Sequence, residues 1–332
     1  MKKKYLPLFG AAVALLASCS SIQTLTFDQL YPASITYPEQ VTQVAVVNNL
    51  PSAAAPDSVK LTLGVLEGNG KTAAEILAGA LADSRYFNQV LICDSALCAP
   101  EEPLYADHRL QPAEVETLCQ QLGADLLFAV ERVRVQTSRQ ELLYPGFPLP
   151  LSMVEAKVTP LVRIYSPQRT TPLATLAQTD SLYWELDPSL TDARVVKEGT
   201  AGAFANLLNK LVPHWAPATR LYYEGGAVEM RDAAVCLREN NWPEARALWM
   251  KLYESRKKGR LKMKAAFNVA LAWEMEGELK QAKAWLGKAE ACASSDAADR
   301  EMLRAYARLL DEKEKHLPQL DLQMRRFEHK IP

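Results

Sequence analysis

The strand signal in this chain stops at about Tyr222 and does not return. Upstream of that point, short runs of branched apolar residues alternate with helix-like patterns. Downstream, apolar residues recur only at helical spacing. The switch predicts an α/β sandwich with a mixed sheet followed by an all-α region. With 48% hydrophobic and 23% charged residues, each region can bury a core. The 38 basic side chains are balanced by 39 acidic ones over 332 residues, so nothing in the global charge points to nucleic acid.

In the first region, QVTQVAVVNN (40–49) has a strand core from Val44 to Val47, stopped by two asparagines. A helix follows over GNGKTAAEILAGALADSRYF, with Thr72 and Glu75 as a capping box and Ile76, Leu77, Ala80 and Leu81 on one face. QVLIC (89–93) reads as a short strand. PAEVETLCQQLG (112–123) reads as a helix opened by Pro112 and closed by Gly123. ADLLFAVERVRVQT (124–137) and VEAKVTPLVRIY (154–165) read as strands, the second with an edge or bulge at Pro160. ATLAQTDSLYWE (174–185) returns as its partner, and a helical pattern runs from Thr191 to before Pro213. The order resembles the small α/β domains of periplasmic lipoproteins and of the N-terminal part of the Tol-system propeller protein.

In the second region, MKAAFNVALAWEMEGELKQAKAWLGKA (263–289) places small residues Ala270, Ala282 and Ala289 where two helices must approach. Trp273 and Leu286 fill between them, and Gly277 sits at the turn. The segment resembles a tetratricopeptide repeat. A weaker copy lies 37 residues earlier, with Ala233, Cys236, Ala245 and Trp249 in the matching positions. A third helical pattern, from Ser294 to Leu317, has Ser and Asp caps and could cover the exposed end. In such repeats the first helix of each pair lines the concave face. That resemblance implies a partner site at Lys264, Phe267, Asn268, Leu271 and Met275. Asn268 would both donate to and accept from an extended peptide backbone. The competing expectation is that the α/β domain or the C-terminal helix fills this groove.

The N-terminus carries an address. Lys2, Lys3 and Lys4 precede the run LPLFGAAVALLA, too short to span a bilayer, which ends in Leu16-Ala17-Ser18-Cys19. This resembles the lipobox of bacterial lipoproteins. The resemblance implies removal of residues 1–18 and acylation of Cys19, and Ser20 after it implies the outer membrane, at its periplasmic face. The expected layout is a signal peptide (1–18), a tether (19–38), an α/β domain (39–213) and a tetratricopeptide-like helical domain (214–332). The lipobox, YPASITYPEQVTQVAVVN (31–48), ADLLFAVERV and HWAPATRLYYEGG with the repeats together resemble a family of bacterial envelope lipoproteins of this build. No established activity comes with that family.

Motifs for chemistry are sparse. GNGKT (68–72) resembles the end of a phosphate-binding loop, but the required earlier glycine is Val65, with Gly64 one residue too early. A plain glycine turn is expected, with no nucleotide and no cofactor. His108, His214, His316 and His329 show no metal-ligand spacing, and no nucleophile elbow is present. No metal site and no enzymatic activity are expected. Cys93 and Cys98 flank DSAL and are the best disulfide candidate in an oxidising compartment, while Cys119, Cys236 and Cys292 sit in apolar helical patterns. LYPGFPLPL (143–151) is either a surface patch or a loop folded on its own core. Residues 220–332 carry 22 basic and 18 acidic side chains, and much of the surplus lies in Arg256, Lys257, Lys258, Arg260, Lys262 and Lys264. That run is either a solvated loop or a patch for anionic headgroups or an acidic partner. The leading expectation is a lipid-anchored adaptor that docks an envelope protein through its repeats. The alternative is an envelope ligand-binding module, for a cell-wall or glycan fragment, that uses the α/β domain.

Overall fold

The computed structural model describes residues 22–51, 56–98, 107–143, 150–294 and 296–328. It divides into two units. The α/β unit comprises described residues of 32–214 and 320–328, and the helical unit those of 22–31 and 215–319. The units divide between His214 and Trp215, and each also takes a segment from the other end of the chain.

The α/β unit is built on a seven-stranded mixed sheet. β2 (Gln43–Asn48) pairs in parallel with β4 (Gln89–Cys93) on one side and with β5 (Leu126–Leu142) on the other. β5 pairs antiparallel with β3 (Gly64–Glu67) and with β6 (Leu151–Tyr165). The expected return strand is two strands, β7 (Ala174–Ala177) and β8 (Asp180–Glu185), both antiparallel to β6. Pro160 has no N–H to give and falls between the stretches of β6 that pair with β8 and β7. There Thr159 and Thr179 join through their hydroxyls at 2.7 Å instead.

Alternation along β2 and β5 divides the sheet between two cores. Val44, Val46, Phe128 and Val130 face α1 (Gly70–Asp83) and α3 (Asp192–Leu211), where Leu77, Leu81, Phe204 and Leu207 are fully buried. Ala45, Val47, Leu127 and Ala129 face α2 (Pro112–Leu122) through Val115 and Cys119. Each large side chain buried this way contributes roughly 1.5–3 kcal/mol. The cap of α1 is Asn69, whose Oδ1 accepts from Thr72 N at 2.9 Å, rather than a box from Thr72 to Glu75. Gly123 ends α2 in the left-handed conformation, φ 65°, as its position predicts.

The helical unit holds two helix hairpins, α4 (Val228–Arg238) with α5 (Trp242–Ser255), and α6 (Arg260–Met275) with α7 (Leu279–Ala291). Ala233, Ala245, Ala270, Ala282 and Ala289 are fully buried where the helices meet, and Gly277 turns the second hairpin at φ 84°. α8 (Ala297–Glu328) covers the stack with Leu303, Tyr306 and Leu310, and Asp296 Oδ1 caps its first turn. The segment expected to be a tether is not one. Its residues form β1 (Ile22–Tyr31), which pairs with β9 (His214–Tyr223) in a two-stranded sheet. From residue 320, α8 belongs to the α/β unit. There Gln323 bonds Ala33 N, Ala33 O and Ile35 O at 2.9–3.1 Å, and Arg326 reaches the carbonyls of Tyr37, Pro38, Val41 and Tyr86 at 3.2–3.4 Å.

Candidate functional site

The groove expected to dock a partner is full. Phe267, Asn268 and Leu271 are buried, and Lys264 and Met275 are half-buried. The occupant is the chain's own β9. Tyr223 N donates to Asn268 Oδ1 at 2.9 Å, and Asn268 Nδ2 donates back to Tyr223 O at 2.7 Å. Asn268 thus grips an extended backbone as the repeat resemblance implied, but an internal one. Phe267 packs edge-on against Tyr223 and tilted against Tyr306, with ring centroids 5.3 and 5.0 Å apart. A buried ion network locks the same place. Arg220 gives two bonds to Glu274 (3.0 and 2.7 Å), and Tyr306 and Lys313 also donate to that carboxylate. Burial alone would raise the pKa of Glu274, but these donors outweigh it and hold the carboxyl below its usual value. No sequence signal marked Glu274 or Arg220 as core residues.

The opening lies in the α/β unit instead. β2 passes through α1 to β4 on one side, and β4 passes through α2 to β5 on the other. The two crossover helices sit on opposite faces. The carboxyl ends of the neighbouring strands β2 and β4, whose following helices lie on opposite faces, therefore form the switch point where such sheets leave a crevice. A cleft of about 450 Å³ opens there. Its lining mixes apolar side chains (Leu97, Leu110, Ala113, Leu118) with polar ones (Asn49, His108, Arg109, Glu114, Thr117) and Cys98.

Local chemistry shapes this mouth. Asn48 and Asn49 end β2 and spend their side chains on loops: Asn48 Nδ2 donates to Asp94 O (3.0 Å), and Asn49 Nδ2 to His108 O (2.6 Å). The Cys98 thiol donates to Asn49 O at 3.3 Å. The expected Cys93–Cys98 disulfide is not formed. Holding Cys98 against Asn49 gives the loop after β4 a different tie. Gly70 lies against Asn48 so closely that a Cβ would sit 2.1 Å from Oδ1, so the glycine turn serves packing.

Beside the cleft lies a charged cluster that the sequence did not reveal. The pairing of β5 with β6 slips between Val130 and Arg132, a bulge at Glu131. Glu131 is buried and accepts from Tyr165 Oη at 2.7 Å and from Arg163 Nη1. Arg163 also bonds Asp107 at 2.6 Å, Asp107 pairs with Arg109 at 3.1 Å, and Tyr165 Oη accepts from Leu110 N at 3.3 Å. Burial pushes the Glu131 carboxyl up, against the pull of Tyr165 and Arg163. The Arg163 bond holds Asp107 down. The cluster joins the strand ends to the loop that enters α2 and so fixes one rim of the cleft.

Other expected residues fall elsewhere. Cys19, Glu101, Glu102, His329 and most of the 143–151 loop lie outside the described residues, and His316 is exposed on α8. No group of three or more His, Cys, Asp or Glu among the described residues could hold a metal. No described helix is long and apolar enough to cross a membrane.

Residues 41–223, more than half of the chain, match the model of the Domain of unknown function DUF8603. The chain belongs to the DUF8603 family. Its residues 231–312 match a second domain of unknown function, DUF6340. No curated protein matches the chain. Among solved structures, it is similar to the PelC dodecamer from Paraburkholderia phytofirmans, at 12% identity and TM-score 0.28 over 57% of this chain and 98% of that one. It is also similar to a neuraminyllactose-binding hemagglutinin homolog from Helicobacter pylori, at 9% identity and TM-score 0.30 over 53% and 86%. A third is the hypothetical protein CT253 from Chlamydia trachomatis, at 11% and 0.30 over 51% and 96%. Likenesses of this strength carry no argument about function.

Proposed function

We propose that this chain is a lipid-anchored protein of the bacterial envelope whose α/β unit binds a small envelope ligand, a cell-wall or glycan fragment. The observation that supports it most is the cleft at the switch point, of a size suited to a small molecule and lined by both apolar and polar side chains. The reading is of binding rather than catalysis. The buried groups nearest the cleft, Glu131, Arg163 and Tyr165, are committed to one another. Anchoring at Cys19, on the periplasmic face of the outer membrane, rests on the lipobox resemblance.

Two experiments test this. Titration of the protein with muropeptides and glycan fragments, followed by NMR, should shift resonances of residues 108–118. Thr117→Trp, on an exposed helical position lining the cleft, should abolish those shifts and leave the melting temperature unchanged. Ligand binding that survives the tryptophan would refute the cleft. Cys19→Ala should release the protein from the outer-membrane fraction or stall its processing.

A second reading keeps the helical unit as an adaptor, on a different surface. α4 leaves Val228 and Val235, two turns apart on one face, 58% and 45% exposed. Val228→Asp with Val235→Asp should then remove a protein from native crosslinks without unfolding the unit.

A further inference from the structure

We propose that the turn joining α5 and α6 lies against the bilayer that carries the anchor and binds its anionic headgroups through Arg256, Lys257 and Lys258. The inference rests on lipidation of Cys19, and its test separates the two. The argument begins with chain length. Only three residue steps separate Cys19 from Ile22, where β1 begins. At about 3.5 Å per residue, the lipidated end can stand no more than roughly 11 Å from that strand. β1 belongs to the helical unit. The anchor therefore holds the helical unit itself at the membrane surface, with no long tether between them.

The second step sorts the basic run. Three of its six cations are engaged inside the unit. Arg260 makes two bonds to Asp299, at 2.6 and 3.0 Å. Lys262 donates to Arg256 O at 2.7 Å and lies over the Tyr253 ring. Lys264 is half-buried over Tyr223. The other three, Arg256, Lys257 and Lys258, are consecutive and exposed. Among the described residues no carboxylate lies within ion-pair distance of them. Gly259, at φ 111°, then turns the chain into α6 and keeps the three on a tight corner. Three adjacent cations without counter-charge repel one another, and an anionic surface relieves that repulsion. The membrane held about a nanometre from Ile22 keeps the whole unit tethered beside it, so a surface of anionic lipids is present at high effective concentration to supply that charge.

The test uses the mature chain from residue 19 with Cys19→Ser, so that no acyl chain contributes. It should co-sediment with vesicles containing phosphatidylglycerol and not with pure phosphatidylcholine vesicles. Binding should vanish as salt rises toward 0.5 M, where screening shortens below the contact distance of a loop. Neutralisation of the three charges (R256Q, K257Q, K258Q) should weaken binding by about 10²-fold, and their reversal (R256E, K257E, K258E) by more, with circular dichroism unchanged. Free phosphate at matched concentration should not compete, because the recognised object is a charged surface. Equal binding to both vesicle types, or a reversal variant that binds like the parent, would overturn the proposal. So would a reversal variant that loses only an acidic protein from native crosslinks. Mass spectrometry of Cys19 reports on the anchor separately: an unmodified cysteine alongside charge-dependent vesicle binding would refute the anchor and support the patch.

Discussion

Glu274 is a costly residue of the helical unit to lose. Its buried carboxylate answers the buried Arg220 and Tyr306 and the partly exposed Lys313 at once. Glu274→Ala leaves the Arg220 charge buried and unpaired, and should cost about 3–5 kcal/mol in chemical denaturation. The same group sets a pH limit. Glu274 titrates below the ordinary glutamate range, held down by Arg220 and Lys313 against its burial, and Asp299 is likewise lowered by Arg260 and Tyr223 despite its burial. The unfolded chain therefore binds protons more readily than the native one. The stabilisation is present above about pH 4.5 and is lost as pH falls through the lower native values. Glu274→Gln should flatten the acid limb of a plot of stability against pH. Asn268 and Leu271 tell the same story. Leu271→Ala should cost about 2–5 kcal/mol, and Asn268→Ala about 1–3 kcal/mol for each Tyr223 backbone group left unpaired, read as a fall in melting temperature.

At the scale of elements, the glycine turn before α1 is the sharpest test of how the cleft is built. Gly70→Ala places a methyl against Asn48, a buried side chain that already holds Asp94 O and Leu50 N. The end of β2 must shift. The variant should lose stability and weaken ligand binding in the cleft together, whereas Gly79→Ala, which meets nothing within 4 Å, should do neither. The strands that the sequence made legible are those with runs of branched residues and a nearby partner, such as Val44–Val47 and Val154–Ile164. β1 was read as a tether because IQTLTFDQLY is only half apolar, and its partner lies at residues 214–223. β9 hid for a related reason. Its inward side carries Ala218, Arg220 and Tyr222, and a buried arginine reads as solvent-facing until Glu274 is known to meet it. Glu131 escaped because a bulge moves it out of simple alternation. Spacing showed that Asn268 could hold a backbone, but not that the backbone was its own.

For the whole molecule, the segments matched by the two family models are not self-sufficient pieces. Residues 41–223 lack the Gln323 and Arg326 contacts that pin the α/β unit, and residues 231–312 lack both β1 and β9. Either segment produced alone should show reduced hydrogen-exchange protection relative to the full chain. Arg326→Ala in the full chain should loosen the segments around Tyr37 and Tyr86, which it stacks on or bonds. The exchange of end segments between the units also has a temporal side. β1 leaves the ribosome first, yet β9 follows more than 180 residues later, and the end of α8 comes last. At about 5–20 residues per second, β1 waits on the order of 10–40 s for its partner to exist. Throughout that interval Leu25, Phe27 and Tyr31 have no strand to pair with. The chain therefore has to keep its first strand from pairing elsewhere until residues 214–223 have been made.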